Sequence, residues 1–153
     1  MGEVPAFEDI EVGKEVEGYE YWLTPGRVQR YIEAVGDPNP WYGGDSPFGG
    51  PIAPATICDN DVFHLRAHEE VVGGAGRTPT PGREGYVHAK QEYQFLSPAR
   101  AGKKITVKGW IADKYLKRDR EYVTLEALSV DEDGREILRS RATLCWYASK
   151  KEG

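Results

Sequence analysis

Between Gly36 and Thr56 the chain gathers residue types that can do chemistry: Asp37-Pro38-Asn39-Pro40-Trp41-Tyr42, then Phe48-Gly49-Gly50-Pro51-Ile52-Ala53-Pro54-Ala55-Thr56. Taken alone, Asp37 to Pro40 is a turn behind a glycine helix stop, because Asx side chains bond their own backbone and Pro presets φ. Gly49-Gly50 beside a helix start permits close backbone packing, and equally the approach of a ligand to the backbone. Tyr42 is a wall aromatic or a hydroxyl donor; a phenol with a reference pKa of about 10 is a poor base at neutral pH.

His64 and His68 stand four apart, a zinc-like spacing, yet no third ligand lies within reach and Arg66 between them disfavours a cation. His64 is therefore open only as a stand-in base, and His88 reads as a strand residue with a hydrogen-bonding role. Asp59-Asn60-Asp61 is a polar run inside an apolar segment. If that segment is buried, at least one of the three must be paired or lie at a subunit boundary. Ser46, Ser97 and Cys58 have no base at a suggestive spacing, so no nucleophile stands out.

These residues need a scaffold, and its elements are legible. Glu15 to Leu23 alternates loosely as a first strand. Thr24-Pro25 starts a helix, with Val28, Tyr31, Ile32 and Val35 on one stripe and Gly36 as its stop. A second helix is expected from near Pro54 to about Ala67, with Ala55, Cys58, Val62 and Leu65 on one face. Gly73 to Gly82 (GGAGRTPTPG) reads as a mobile surface loop. Four strands follow: Tyr86 to Leu96, Lys104 to Tyr115, Glu121 to Asp131 and Glu136 to Trp146. Val87, Ala89, Tyr93 and Phe95 are expected on one face of the first. Turns fall at Ala101-Gly102 and Asp133-Gly134. A curved antiparallel sheet must cover its apolar face, and one long helix can lie there. The expectation is a single α+β domain over residues 1–153, its core about 7–147.

Composition excludes several classes. The 153 residues carry a net charge of −5 with 29% charged side chains, which lacks the basic footprint of a nucleic-acid binder. No apolar run is long enough to span a membrane, and the N-terminus has no signal-peptide pattern. Two cysteines 87 positions apart support neither a disulfide framework nor structural zinc. A cytoplasmic location is expected.

The helix ending in Asp-x-Asn-Pro, the Phe-Gly-Gly that follows and the helix opening on Ile-Ala-Pro resemble the MaoC-like hydratases and dehydratases of the hotdog fold, most narrowly their dehydratase-type N-terminal domains. His88-Ala-Lys-Gln-Glu-Tyr-Gln-Phe-Leu-Ser-Pro98 followed by Ala101-Gly102 is similar to the first long strand of that family. The likeness runs from about Phe7 to Trp146. It implies an antiparallel sheet wrapped around a long central helix. It also implies reversible, (R)-specific addition of water across a 2-enoyl thioester of coenzyme A or acyl carrier protein, with no further cofactor. In such enzymes the Asp and His of Asp-x-Asn-Pro-x-His orient and deprotonate the water, while backbone N–H groups at the central helix start polarise the carbonyl.

Carried across, Asp37 and Asn39 fall on the motif's Asp and Asn, and Tyr42 falls on its His. Ala55 and Thr56 fall on the helix-start donors, where active members place His-Gly; Gly49, Gly50, Ile52 and Pro54 are the remaining substrate-binding candidates. The family also contains heteromers in which one hotdog lacks the dyad and shapes the acyl pocket for a catalytic partner, and this chain looks like that half. The alternatives are a complete hydratase or dehydratase using Asp37 with a non-standard acid or base, and a thioesterase whose acid is Asp59 or Asp61. The basic run Lys114 to Arg120 is a solvated hairpin cap or a contact for a coenzyme A phosphate. Such a sheet leaves an exposed edge, so a homodimer or a heteromer with a second hotdog is expected rather than a monomer.

Overall fold

A computed structural model describes residues 5–67, 71 and 86–147. Its α-helix α1, Pro25–Val35, forms where its signals stand. The Arg27 N–H donates to Thr24 Oγ1 at 3.2 Å, Pro25 occupies the first turn, and Gly36 ends the helix at φ 66° with its N–H on Ile32 O. Val28 is buried and Tyr31 and Ile32 lean on the core, but Val35, the last residue of the stripe, is exposed.

Among the described residues five strands, β1 (Glu15–Leu23), β2 (Val87–Phe95), β3 (Lys103–Lys117), β4 (Arg120–Asp131) and β5 (Glu136–Tyr147), form one antiparallel sheet in the order β1-β3-β4-β5-β2. The β4–β5 hairpin turns at Gly134, φ 80°, where Asp131 Oδ1 accepts the N–H groups of Asp133 and Arg135. Gly102, φ 83°, likewise turns the chain into β3 and donates its N–H to Leu23 O at 2.7 Å.

Two bulges correct the simple alternation. In β1 the register shifts between Val16 and Tyr19, which explains the loose pattern of that strand. In β2 the shift between His88 and Lys90 leaves Ala89 unpaired, so Val87, opposite Cys145, lies on the other face from Tyr93 and Phe95, opposite Ser140 and Leu138.

The inner face of the sheet carries Ile105, Val107, Ile111, Val123, Leu125, Leu138, Ala142 and Leu144, all buried. Against it lies the segment Ala53 to Ala67, and here the expected long helix is not what the described residues form. From Pro54 the chain makes successive turns closed three residues back, with the N–H groups of Ile57, Asp59, Asp61 and Phe63 on Pro54, Thr56, Cys58 and Asn60 carbonyls. A 3₁₀ helix spans Asp61–His64, and α-helical backbone appears at Arg66 and Ala67. Cys58, Val62 and Leu65 are buried as expected, whereas Ala55 is exposed. The physical reason lies in Asp59-Asn60-Asp61, short polar side chains that favour turns over helix interior. Leu65 seats directly on Gly109, where a Cβ would come within 2.5 Å of its Cδ1. His68 and the 73–82 loop lie outside the described residues.

Candidate functional site

Asp37 begins the turn after α1 and accepts hydrogen bonds from its own neighbours. Its Oδ1 accepts the Asn39 N–H at 3.1 Å, and its Oδ2 accepts the Tyr42 hydroxyl in a short hydrogen bond. Asn39 in turn caps the 3₁₀ helix Pro40–Tyr42, its Oδ1 accepting the Trp41 N–H at 3.0 Å. The structure thus brings Asp37, Asn39 and Tyr42 together as one closed unit. Burial and the adjacent Asp37 carboxylate push the Tyr42 phenol up to about 12. A phenol so held keeps its proton at neutral pH: residue 42 is a donor, and it is not a base.

The glycine loop stands beside this unit. Gly49 and Gly50 adopt φ 79° and 84°, the left-handed region that a side chain disfavours. Ser46 closes the loop, accepting the Gly49 N–H on its carbonyl and donating its hydroxyl to Gly50 O at 2.6 Å. The Ile52 N–H donates to Trp41 O at 3.0 Å, tying the loop to the Asp37–Tyr42 turn, and the Ala53 N–H donates to Ala99 O at 2.7 Å. Ile52 is half-buried and Pro54 buried, while Ala55 and Thr56 are exposed. Those two residues open a run of tight turns rather than an α-helix, so the alignment of peptide dipoles expected at a helix start is absent there. Thr56 is instead anchored through its side chain, with its Oγ1 2.6 Å from the Tyr31 hydroxyl on α1.

A second polar centre, built on Asp61, lies under the central segment. Asp61 is buried, and its Oδ2 accepts the Ser129 hydroxyl at 2.6 Å and the Tyr21 hydroxyl at 3.0 Å; its Oδ1 accepts from Tyr19 at 3.3 Å. Burial raises the Asp61 carboxyl above the usual range despite these donors, and lifts the neighbouring Cys58 thiol to about 12. Arg27 lies over the Tyr21 ring, 4.4 Å from its centroid. The expectation that one of Asp59, Asn60 and Asp61 must be paired is met at Asp61. Three hydroxyls thus engage both carboxylate oxygens of Asp61, one of the two thioesterase candidates. The signal for this centre was the same-face pair Tyr19 and Tyr21, hidden by the β1 bulge.

The two described histidines, His64 and His88, make their contacts with residues other than Asp37 and Tyr42. His64 is exposed with its ring edge-on to Tyr19 at 6.4 Å, and His88 Nε2 lies 2.9 Å from Gln91 Oε1 with Phe63 against its ring. Among the described residues, no group of three or more His, Cys, Asp or Glu could hold a metal ion. In the same residues, no helix is long and apolar enough to cross a membrane. In the basic run Lys114 to Arg120, Lys114 sits within β3 and donates to the carbonyls of Phe7 and Glu8.

Comparison with known proteins gives the architecture its place. Residues 11–140 match the family model of the FAS1-like dehydratase domain region. A UPF0336 protein of Streptomyces avermitilis is 24% identical over 149 residues, covering 96% of this chain and 91% of that protein. The MaoC-like dehydratase of Rhodospirillum rubrum superposes with a TM-score of 0.69 at 20% identity, over 93% of this chain and 96% of that one. The HadBC (3R-hydroxyacyl-ACP dehydratase) complex of Mycobacterium tuberculosis contains a chain matching with a TM-score of 0.66 at 17% identity, over 88% and 96%. The five-stranded antiparallel sheet packed on residues 53–67 is therefore a hotdog, and the chain belongs to the FAS1-like dehydratase domain family.

Proposed function

We propose that this chain is the acyl-thioester-binding subunit of an (R)-specific 2-enoyl thioester hydratase or 3-hydroxyacyl dehydratase, in which a second hotdog supplies the catalytic His. The observation that carries this reading is the Asp37–Tyr42 bond. Hydration needs a group that takes a proton from water near neutral pH, and a phenol pushed up to about 12 does not. Asp37 is the remaining carboxylate of the motif, and both its oxygens already accept hydrogen bonds. Heteromeric architecture among structural neighbours, such as the HadBC complex, supports a two-subunit arrangement.

In this reading the thioester enters past Gly49, Gly50 and Ile52 toward Pro54, Ala55 and Thr56. No cofactor beyond the carrier is needed, and the assembly works in the cytoplasm. The test is turnover. Purified chain mixed with crotonyl-CoA is expected to bind it and to hydrate it at background rate. Addition of a hotdog partner carrying Asp-x-Asn-Pro-x-His, sought in the adjoining reading frame, is expected to start the reaction. Robust hydration by the chain alone, abolished by Asp37→Asn, would replace this reading with that of a complete enzyme.

A further inference from the structure

Arg100, in the connection from β2 to β3, reaches across to the glycine loop with three donated hydrogen bonds. Its Nη1 donates to Gly49 O at 2.9 Å and to Pro51 O at 2.8 Å, and its Nη2 donates to Phe48 O at 2.6 Å. Among the described residues its bonds run only to main-chain carbonyls, and no carboxylate pairs with it. A planar fork of donors suits this task, because three carbonyls must be gathered at one place.

The consequence lies on the opposite side of each peptide. A trans peptide directs its carbonyl oxygen and the next N–H oppositely. Turning the Phe48, Gly49 and Pro51 carbonyls toward Arg100 therefore turns the Gly49, Gly50 and Ile52 N–H groups away from it. Gly49 spends its N–H on Ser46 O, and Ile52 spends its N–H on Trp41 O. Among the described residues the Gly50 N–H has no acceptor. It lies in the loop that the Ile52–Trp41 bond ties to the turn of Asp37 and Tyr42.

We propose that Arg100 is a positioning residue that holds the Gly50 N–H outward as a hydrogen-bond donor to an acyl-thioester carbonyl. This rests on the thioester-binding reading above, and it adds a donor outside the Ala55–Thr56 pair. Oriented main-chain donors stabilise a carbonyl oxygen as charge develops on it, which a partner-supplied base requires.

The experiment uses protein labelled with ¹⁵N-glycine and titrated with crotonyl-CoA or with free coenzyme A. The Gly50 amide proton is expected to move downfield with crotonyl-CoA and to stay in place with coenzyme A. In Arg100→Met that movement is lost, and crotonyl-CoA affinity falls about tenfold, the worth of one hydrogen bond, while coenzyme A affinity is unchanged. Arg100→Lys keeps the charge but not the fork, so it is expected to behave like the Met variant while retaining the fold. Full rescue by Lys would overturn the proposal, as would a Gly50 amide indifferent to the thioester in a protein that binds it. A wild-type protein that does not distinguish crotonyl-CoA from coenzyme A removes the thioester reading itself, and this donor role with it.

Discussion

The Ser129 hydroxyl on β4 donates to Asp61 Oδ2 at 2.6 Å, joining the sheet to the central segment through a buried carboxylate. Tyr19 and Tyr21 complete the enclosure from β1. Burial holds the Asp61 proton to higher pH in the folded protein than in the unfolded chain. Between the ordinary carboxylate pKa of about 3.9 and the raised folded value, the native state binds the extra proton. Its stabilising contribution is thus full below the ordinary value and is lost as pH rises through the folded one. Asp61→Asn is expected to flatten the fall of Tm with rising pH above about 4, and to be less destabilising at pH 8 than at pH 5. Equal slopes for the variant and the wild type in thermal unfolding would exclude this linkage. Asp61→Ala strands three hydroxyls and is expected to cost about 3 kcal/mol or more at any pH.

Tyr42→Phe removes only the hydroxyl that occupies Asp37 Oδ2. It is expected to leave the rate of the assembled enzyme nearly unchanged and to cost the chain about 1 kcal/mol of stability. Tyr42→His rebuilds Asp-x-Asn-Pro-x-His in one step, and the gain of crotonyl-CoA hydration by the isolated chain is the expected outcome. A loss of roughly 10²-fold or more in the Phe variant of the assembly would instead make Tyr42 a working acid.

Gly18 and Gly109 test how the sheet approaches its neighbours. A Cβ on Gly18 would lie 2.1 Å from Val107 O, a backbone atom in the adjacent strand, whereas one on Gly109 would meet the ends of the Leu65 and Val16 side chains. Gly18→Ala is expected to be the more destabilising, since a strand must shift where a side chain can re-pack. Overpacking of this kind costs about 1–3 kcal/mol, readable in denaturant midpoints.

β2 is an edge strand, and its inner-face residues Tyr93 and Phe95 remain 40% and 54% exposed. Edges of this length are paired or covered in natural sheets. The chain is expected to sediment as a dimer, or as a heteromer with its partner, at micromolar concentration. Phe95→Asp is expected to shift that equilibrium toward monomer by placing a charge in the joined surface. A wild-type monomer under the same conditions would argue against pairing at this edge.

Strand boundaries, the Thr24-Pro25 start, the Gly36 stop and the Gly134 turn follow from local rules, because each depends on backbone preferences of a few adjacent residues. The Asp-x-Asn-Pro turn was legible for the same reason, as was the fact that residue 42 is not His. The sequence by itself therefore determined the strand-rich α+β pattern, the order of its elements and the altered motif. What only the tertiary structure decided depends on residues far apart in the chain. An apolar stripe over 54–67 favoured a helix, but the need of Asp61 to meet Tyr19, Tyr21 and Ser129 goes with a chain of tight turns. The bulges at β1 and β2 moved side chains between faces by inserting residues that periodicity counts as paired. Arg100 had no local signal, since the carbonyls it gathers lie 49 to 52 positions away. Hydrogen bonds across such separations exist only once packing has brought their donors and acceptors together.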